Sequence, residues 1–273
     1  MMPTLSIIIV SFNARDDLAR CLESLHRPSA STPHEIIVVD NASHDGSVDV
    51  ARRWPSVRTI EAGANLGFAR ASNIGIRASR GDVLLLLNSD TVVPPDAVDR
   101  LVEELRRGDE VAVVGPRLVD GEGRAELSFG SMIGPFSELR QKMLVRGQAR
   151  GLPILSGIVE RLTARPQRPD WVSGACLLVH RADAEAVGLL DERYFMYAED
   201  VDFCAAIRAR KRSIRFTPAV TVVHRRGRSA VTARDATERA YRRSQLAFYE
   251  KHHPRWMPIL RLYLRLRGLL PTP

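Results

Sequence analysis

Strand-like and helix-like segments alternate through the first 118 residues, and this alternation constrains the fold more than any other feature. LSIIIVS at 5–11, EIIVVD at 35–40, VRTIEA at 57–62, DVLLLLN at 82–88 and VAVVGPRL at 111–118 are short runs of β-branched and aliphatic residues. Such runs suit parallel strands covered on both faces. Between the first two, Leu18, Cys21, Leu22 and Leu25 fall at i, i+3, i+4 and i+7, with Asn13 placed to cap that helix. A second helix is expected near 45–54 and a third after AGANLGFAR. A fourth opens at Pro94 and Pro95, with Val98, Leu101, Val102 and Leu105 facing inward. The pattern predicts an α/β fold: an open, mostly parallel sheet flanked by helices, with right-handed crossovers.

Beyond 118 the pattern changes. VDGEGRAELSF reads as a hairpin around Asp120–Gly123. Residues 130–169 carry helix-like pieces among scattered Gly and Pro and read as an insertion or acceptor-facing subregion. WVSGACLLV at 171–179 resumes strand, and the loop DERYFMYAED leads to a helix from about 200 to 210. SIRFTPAVTVVH at 213–224 is expected to be a strand broken at Pro218. Two basic helices are expected at 232–252 and 255–268.

Of the 273 residues, 45% are hydrophobic and 26% charged, which excludes global disorder. Cys21, Cys176 and Cys204 have no C-x-x-C spacing. That excludes a disulfide framework or a cysteine zinc site and suits a reducing cytoplasm. No apolar stretch approaches the roughly 20 residues of a membrane span. MMPTLSIIIVSFN lacks a basic n-region and reads as a first strand, not a signal peptide. The formal charge of +8 is unevenly spread. From Phe203 onward 17 Lys and Arg stand against three acids, a net of +14, so residues 1–202 carry −6. A terminal basic block points to an anionic partner, a phospholipid surface or nucleic acid.

Ligands of open α/β sheets bind beyond the carboxyl ends of the strands. Those ends here are Ser11-Phe12-Asn13, Asp40-Asn41, the Gly63–Gly67 loop and Asn88-Ser89-Asp90. Singly, each would serve as a helix cap. Neither G-x-G-x-x-G nor a Walker A sequence is present, so phosphate needs another holder. Asp90, ending an apolar strand, is the best carboxylate for a divalent ion bridging to phosphates. A second acidic site, Glu199-Asp200, follows Tyr194-Phe195-Met196-Tyr197. Aromatics there can shape a sugar-sized pocket, although two acids at a helix start also answer the macrodipole. His224 ends an apolar strand, as an edge residue or a ligand.

Together IIIVSFN, VVDNASHDGS, GANLGFARASNIGI, LLLLNSD, WVSGACLLVHR, YFMYAEDVDFC and VVHRRGRS resemble family 2 inverting glycosyltransferases of GT-A fold. Within these the chain is most similar to bacterial rhamnosyltransferase-type enzymes of cell-wall and O-antigen assembly, from about Leu5 to Ser229. The resemblance implies that Ser11, Asn13 and Asp40 hold base and ribose, and that Asn65, Gly67, Phe68 and Asn73 flank nucleotide and sugar. Asn88-Ser89-Asp90 stands where the family has D-x-D. It keeps only the last carboxylate, and Asn88 and Ser89 are placed beside the donor. Asp90 then takes the metal, Mg²⁺ or Mn²⁺, with His224 as a further ligand. The acid pair Glu199-Asp200 occupies the catalytic position, with Asp200 as base. Trp171, Gly174 and Tyr197 are assigned to the acceptor or pocket. The implied domain is 1–229, with a nucleotide-sugar half at 1–118 and an acceptor and catalytic half at 119–229. Residues 230–273 form a basic helical appendage.

The implied reaction transfers a sugar, first dTDP-rhamnose, to a glycan or polyprenyl-diphosphate-linked glycan. Two other classes compete. A sugar-phosphate nucleotidyltransferase would want a Gly-rich basic loop after the first strand, which SFNARDDLARC does not supply. A non-catalytic nucleotide-sugar-binding or membrane-associated protein would not need both Asp90 and the acid pair. The tail contains no nucleic-acid module. Trp256, Met257, Ile259, Leu260, Tyr263, Leu264 and Leu266 alternate with arginines, as in an interfacial helix on an anionic membrane or a terminal helix packed on the domain. The location implied is cytoplasmic, peripheral on the inner face of the plasma membrane. Nothing in the sequence fixes the oligomeric state.

Overall fold

Alternate residues of the central strands go to opposite faces of one sheet, because side chains along a strand point up and down in turn. Ile7, Ile9, Leu85, Leu87 and Leu178 enter one core, and Ile8, Leu84, Leu86 and Leu177 the other. These positions come from a computed structural model that describes residues 4–26, 30–225 and 234–271. The strands are β1 (Leu5–Ser11), β2 (His34–Asp40), β3 (Val57–Glu61), β4 (Val83–Asn88), β5 (Thr91–Val92), β6 (Val111–Val119), β7 (Ala125–Glu126), β8 (Phe129–Gly130), β9 (Trp171–Val172), β10 (Cys176–His180) and β11 (Ser213–His224). The sheet runs β3-β2-β1-β4-β10-β6-β11-β5, with β7 paired to β6. β3, β2, β1 and β4 are parallel, as are β6 and β11. β10 is antiparallel to both β4 and β6, and β5 to β11. The result is a mixed, mostly parallel α/β sheet of GT-A type.

Helices α1 (Arg15–Leu25), α2 (Ser47–Arg52) and α4 (Ala97–Arg106) cover one face through Leu18, Leu22, Val50, Leu101 and Leu105. On the other lie α3 (Phe68–Ala78), α7 (Arg181–Ala186) and α8 (Glu199–Ala209), through Ile76, Ala184, Phe203 and Ile207. Full burial of each large aliphatic or aromatic side chain stabilises by about 1.5–3 kcal/mol.

Three expectations need correction. Asn13 does not cap α1. Ala14 takes that position, and Asn13, in the left-handed region at φ 48°, turns its Oδ1 to the His44 N–H. The run 171–179 is not one strand. β9 pairs with β8 in a separate two-stranded sheet, and a turn at Ser173–Ala175 leads into β10. Pro218 does not break β11 but shifts its register against β6 between Thr217 and Thr221, since proline has no N–H for the ladder. The hairpin at 120–123 forms, closed by the Gly123 N–H on Asp120 O with Gly123 at φ 80°.

The subregion after β8 contains α5 (Pro135–Ala149) and α6 (Pro153–Thr163). The expected basic helices are α9 (Arg234–His252) and α10 (Met257–Leu266), the latter led by a 3-10 turn at Pro254–Trp256. Residues 232–233, the 229/230 boundary and the RGRS end of the last motif lie outside the described residues. α9 buries Phe248 and Tyr249, and Lys251 Nζ lies 2.8 Å from both Asp191 and Asp202. α10 buries Met257, Leu260 and Leu264 while Ile259, Leu262, Tyr263 and Leu266 stay exposed. The two readings of the tail are therefore not exclusive: one face packs and the other faces solvent. Among the described residues no helix is long and apolar enough to cross a membrane.

Candidate active site

Parallel pairing puts the carboxyl ends of β1, β2 and β4 at one rim, with Ser11 beside Asp40 and Val10 beside Asn88. Asp40 Oδ2 accepts the Ser43 N–H at 2.8 Å. Asp40 Oδ1 and Ser11 Oγ are buried with no hydrogen-bond partner among the described residues. Each such buried orphan costs about 1–3 kcal/mol, a deficit that ligand hydroxyls or ring N–H groups would relieve. Asn13 bridges to the next loop, its N–H donating to Ser43 Oγ at 2.9 Å.

The Gly63–Gly67 loop is held by Asn41. Its Nδ2 donates to Asn65 Oδ1 at 2.9 Å and its Oδ1 accepts the Leu66 N–H at 2.8 Å. Gly67 sits at φ 81°, and a Cβ there would lie 2.2 Å from Phe195 O. Only glycine allows that approach, which the Phe68 N–H bond to Phe195 O at 2.7 Å completes. The Gly63–Gly67 loop thus clamps the segment leading to the acid pair. Asn73 acts on that segment too. Its Nδ2 donates to Leu190 O at 2.8 Å and its Oδ1 accepts the Leu190 N–H at 3.1 Å, so its amide braces the segment from within.

Tyr197 and Ala198, at φ 71° and 67°, precede Glu199. Two consecutive left-handed non-glycine residues store strain of order 1–3 kcal/mol each, a feature that clusters at active sites. Asp200 Oδ2 accepts the Gly174 N–H at 2.9 Å and Oδ1 accepts the Val201 N–H at 2.8 Å. Modest space remains at Gly174, where a Cβ would lie 3.4 Å from both Phe68 Cε1 and Asp200 Cβ. Burial raises the Asp200 pKa above the usual aspartate range, against the pull of these N–H groups. Burial and then the Asp200 charge push Glu199 much further up. Its Oε2 has no hydrogen-bond partner among the described residues. Glu199 therefore holds its proton more tightly than Asp200, and Asp200 is the acid of the pair that ionises more readily. The Tyr197 ring is 39% exposed and meets the Tyr241 ring edge-on at 5.8 Å. Trp171 is buried at 7% exposure, its Nε1 donating to Ser131 O at 3.0 Å.

Pairing of β5 with β11 sets His224 opposite Thr91, next to Asp90. His224 Nε2 lies 3.3 Å from Asp90 Oδ1 and 3.4 Å from Asn88 Nδ2, and Ser89 between them is buried. On the other side, His224 Nδ1 lies 3.1 Å from Glu126 Oε2. Burial disfavours the imidazolium, but the bonds to Asp90 and Glu126 outweigh it and bring the His224 pKa up to about 9. Sequence reasoning missed Glu126. The hairpin was legible, but only its register places Glu126 opposite Leu118, itself beside Val222. Among the described residues there is no preformed cage of three or more metal-ligating side chains. A carboxylate and an imidazole nitrogen nonetheless suit a divalent ion that completes its shell with phosphate and water.

Residues 6–158 match Glycosyl transferase family 2, and residues 83–271 match Glycosyl transferase family group 2. Over 270 residues the chain is 29% identical to the N-acetylglucosaminyl-diphospho-decaprenol L-rhamnosyltransferase of Mycobacterium tuberculosis, covering 94% of this chain and 87% of that one. It is 26% identical over 231 residues to the low-salt glycan biosynthesis hexosyltransferase Agl10 of Haloferax volcanii, covering 82% and 68%. Among solved structures, the mannosyltransferase PcManGT from Pyrobaculum calidifontis, in complex with GDP-Man and Mn²⁺, superposes with a TM-score of 0.63 at 18% identity. That match covers 95% of this chain and 68% of that one.

Proposed function

The chain belongs to glycosyl transferase family 2, and from that premise we propose that it moves rhamnose from dTDP-rhamnose to a hydroxyl of a lipid-linked glycan. Transfer inverts the anomeric carbon and serves cell-wall or surface polysaccharide assembly. The similarity to a rhamnosyltransferase along most of both chains supports the choice of sugar and acceptor. Residues 1–118 supply the donor side and 119–229 the acceptor side.

Asp200 is the general base. It takes the proton of the acceptor hydroxyl as that oxygen bonds to the anomeric carbon. The bond from that carbon to the diphosphate oxygen breaks, and its electron pair leaves with the nucleotide. A base with a raised pKa is better matched to an alcohol proton near neutral pH. Glu199 beside it holds its proton more tightly. Ser11, Asn13 and Asp40 hold base and ribose. Asn65, Gly67, Phe68, Asn88 and Ser89 line the donor, with Asn73 bracing the loop behind. Trp171, Gly174 and Tyr197 belong to the acceptor side, Trp171 as a buried support. Asp90 and His224 would hold Mg²⁺ or Mn²⁺, which when bound stabilises charge developing on the diphosphate. Mn²⁺ in the mannosyltransferase complex and the paired Asp90 and His224 support this assignment.

The carrying observation is Asp200, anchored by the N–H of Gly174, which itself lies beside Phe68, the first residue of the helix after the donor-side loop. The test is thermal protection by dTDP-, UDP- and GDP-sugars with Mn²⁺, followed by transfer assays with the protecting donor. Protection by none of them overturns the reading. The basic, partly exposed α10 supports peripheral attachment at the cytoplasmic face of the plasma membrane.

A further inference from the structure

α10 presents a second apolar stripe besides the one it buries. Ile259, Leu262, Tyr263 and Leu266 are all more than half exposed. At 100° per residue they span an arc of about 100°, with Arg261 and Arg265 on one flank and Arg267 on the other. α5 shows the same construction. Phe136, Leu139 and Met143 are 79%, 58% and 60% exposed at i, i+3 and i+7, with Arg140 and Arg146 on the two flanks. The start of α5 meets the turn that leads into α10, where the Phe136 and Trp256 rings stand edge-to-face at 6.4 Å.

The mounting beneath α5 is polar and tight. Glu138 accepts from Tyr241 at 3.1 Å, Gln245 at 2.6 Å and Tyr249 at 2.8 Å, all on α9. It is the only acid in 135–150 or 255–267, and it points inward. Every exposed charge on the two segments is therefore an arginine. Tyr241 also touches Tyr197, and Ser244 Oγ donates to Met196 O at 2.7 Å. One helix thus carries the exposed face on one side and braces the segment before Asp200 on the other.

We propose that α5 and α10 together form one membrane-docking face, with Phe136, Leu139, Met143, Leu262 and Leu266 entering an anionic bilayer and the flanking arginines on its headgroups. This deepens the peripheral-membrane part of the reading above and rests on it. Exposed apolar patches of this kind mark membrane or protein contacts. An arginine rim without acids and an aromatic at the joint favour an anionic lipid surface over another protein. The arrangement sets the catalytic loop beside the bilayer, where a lipid-linked acceptor presents its sugar.

The test uses full-length protein with vesicles of phosphatidylglycerol and phosphatidylcholine, against phosphatidylcholine alone. Met143→Glu on α5 and Leu262→Glu on α10 change exposed positions remote from the donor side, and a melting curve checks that each folds. Wild type should sediment with the anionic vesicles and shift its tryptophan emission to the blue. Each variant should lower the bound fraction about tenfold, and the pair should abolish binding. Arg140→Glu with Arg265→Glu should weaken binding in the same direction. Thermal protection by nucleotide-sugar should be unchanged throughout, which separates a failure of this face from a failure of the transferase reading. Wild-type binding by Met143→Glu overturns the role of α5. Indifference of wild type to anionic vesicles overturns the whole face. So does a dimer in sedimentation velocity that both variants dissociate, because the occupant is then a second copy.

Discussion

Asp200 Oδ2 accepts the backbone N–H of Gly174 at 2.9 Å, across the turn that separates β9 from β10. A residue at a helix start is thereby fixed to a strand end, and with the Val201 N–H on Oδ1 both oxygens of the proposed base are oriented. Asp200→Asn keeps the size and removes the basicity. We predict a fall in kcat on the order of 100-fold or more with nucleotide-sugar affinity little changed. Steady-state kinetics beside calorimetry separates the two effects.

The pH profile follows from the same geometry. Burial raises the Asp200 pKa, so the proposed base is lost by protonation as pH falls through a value above the ordinary aspartate range. The acidic limb of kcat/KM should therefore lie higher than an exposed aspartate would give, with full activity on its alkaline side. An acidic limb at the ordinary aspartate value would remove Asp200 from the role.

Glu199 gives the opposite kind of test. Its folded pKa lies well above the unfolded value, so the proton is held more tightly in the folded chain. That stabilisation is full below the unfolded pKa and declines as pH rises toward the folded pKa. Glu199→Gln has no such decline. Its melting temperature should gain on wild type as pH rises from 5 to 8, and turnover should stay within a few-fold. A dead Glu199→Gln beside an active Asp200→Asn would move the base by one residue.

Much of this was legible in the sequence. The strand runs of 5–11, 35–40 and 82–88 could bury both faces only in a parallel sheet, and their polar ends marked the rim. What stayed hidden depended on pairing between distant segments. Nothing local shows that 176–180 enters the sheet between β4 and β6, because an antiparallel insertion has the same apolar pattern as a parallel one. WVSGACLLV read as one strand because its break is imposed from outside, by the Asp200 bond to Gly174 and by the Ser173 N–H bond to Ser128 O. Glu126 was missed as a site residue for the same reason, since it acts through a partner across the sheet. Asn41 was named at the rim, but its hold on the Gly63–Gly67 loop was not legible. α10 read equally as a packed or an exposed helix because it is apolar on two faces.

Glu126 orients His224. With Nδ1–H donating to Glu126, Nε2 faces Asp90. Glu126→Gln should weaken Mn²⁺-dependent binding of a nucleoside diphosphate about tenfold. Asp90→Ala should weaken it at least as much, and neither should alter binding of the free nucleoside. Metal-independent binding of the diphosphate, unaltered in Asp90→Ala, would remove the metal from the site.

Gly67 and the terminal helix carry stability predictions. In Gly67→Ala the new Cβ meets Phe195 O at a distance that carbon atoms do not tolerate, in a left-handed backbone. The loss should be about 3 kcal/mol or more in denaturant unfolding, with kcat falling as the loop before Asp200 shifts. Leu264→Ala empties a fully buried position and should cost about 2–5 kcal/mol. Deleting α10 would consequently destabilise the fold, so single changes on its exposed face are the cleaner test of membrane binding.

The most direct measurement of the central claim is transfer itself. Protein, Mn²⁺, dTDP-β-L-rhamnose and a short-chain polyprenyl-diphosphate N-acetylglucosamine are incubated together, and the product linkage is read by NMR. The account predicts a rhamnosylated lipid with the anomeric configuration opposite to that of the donor. It predicts no product from Asp200→Asn under conditions where that variant still binds the donor. A product that retains the donor configuration, or equal turnover by Asp200→Asn, would contradict it.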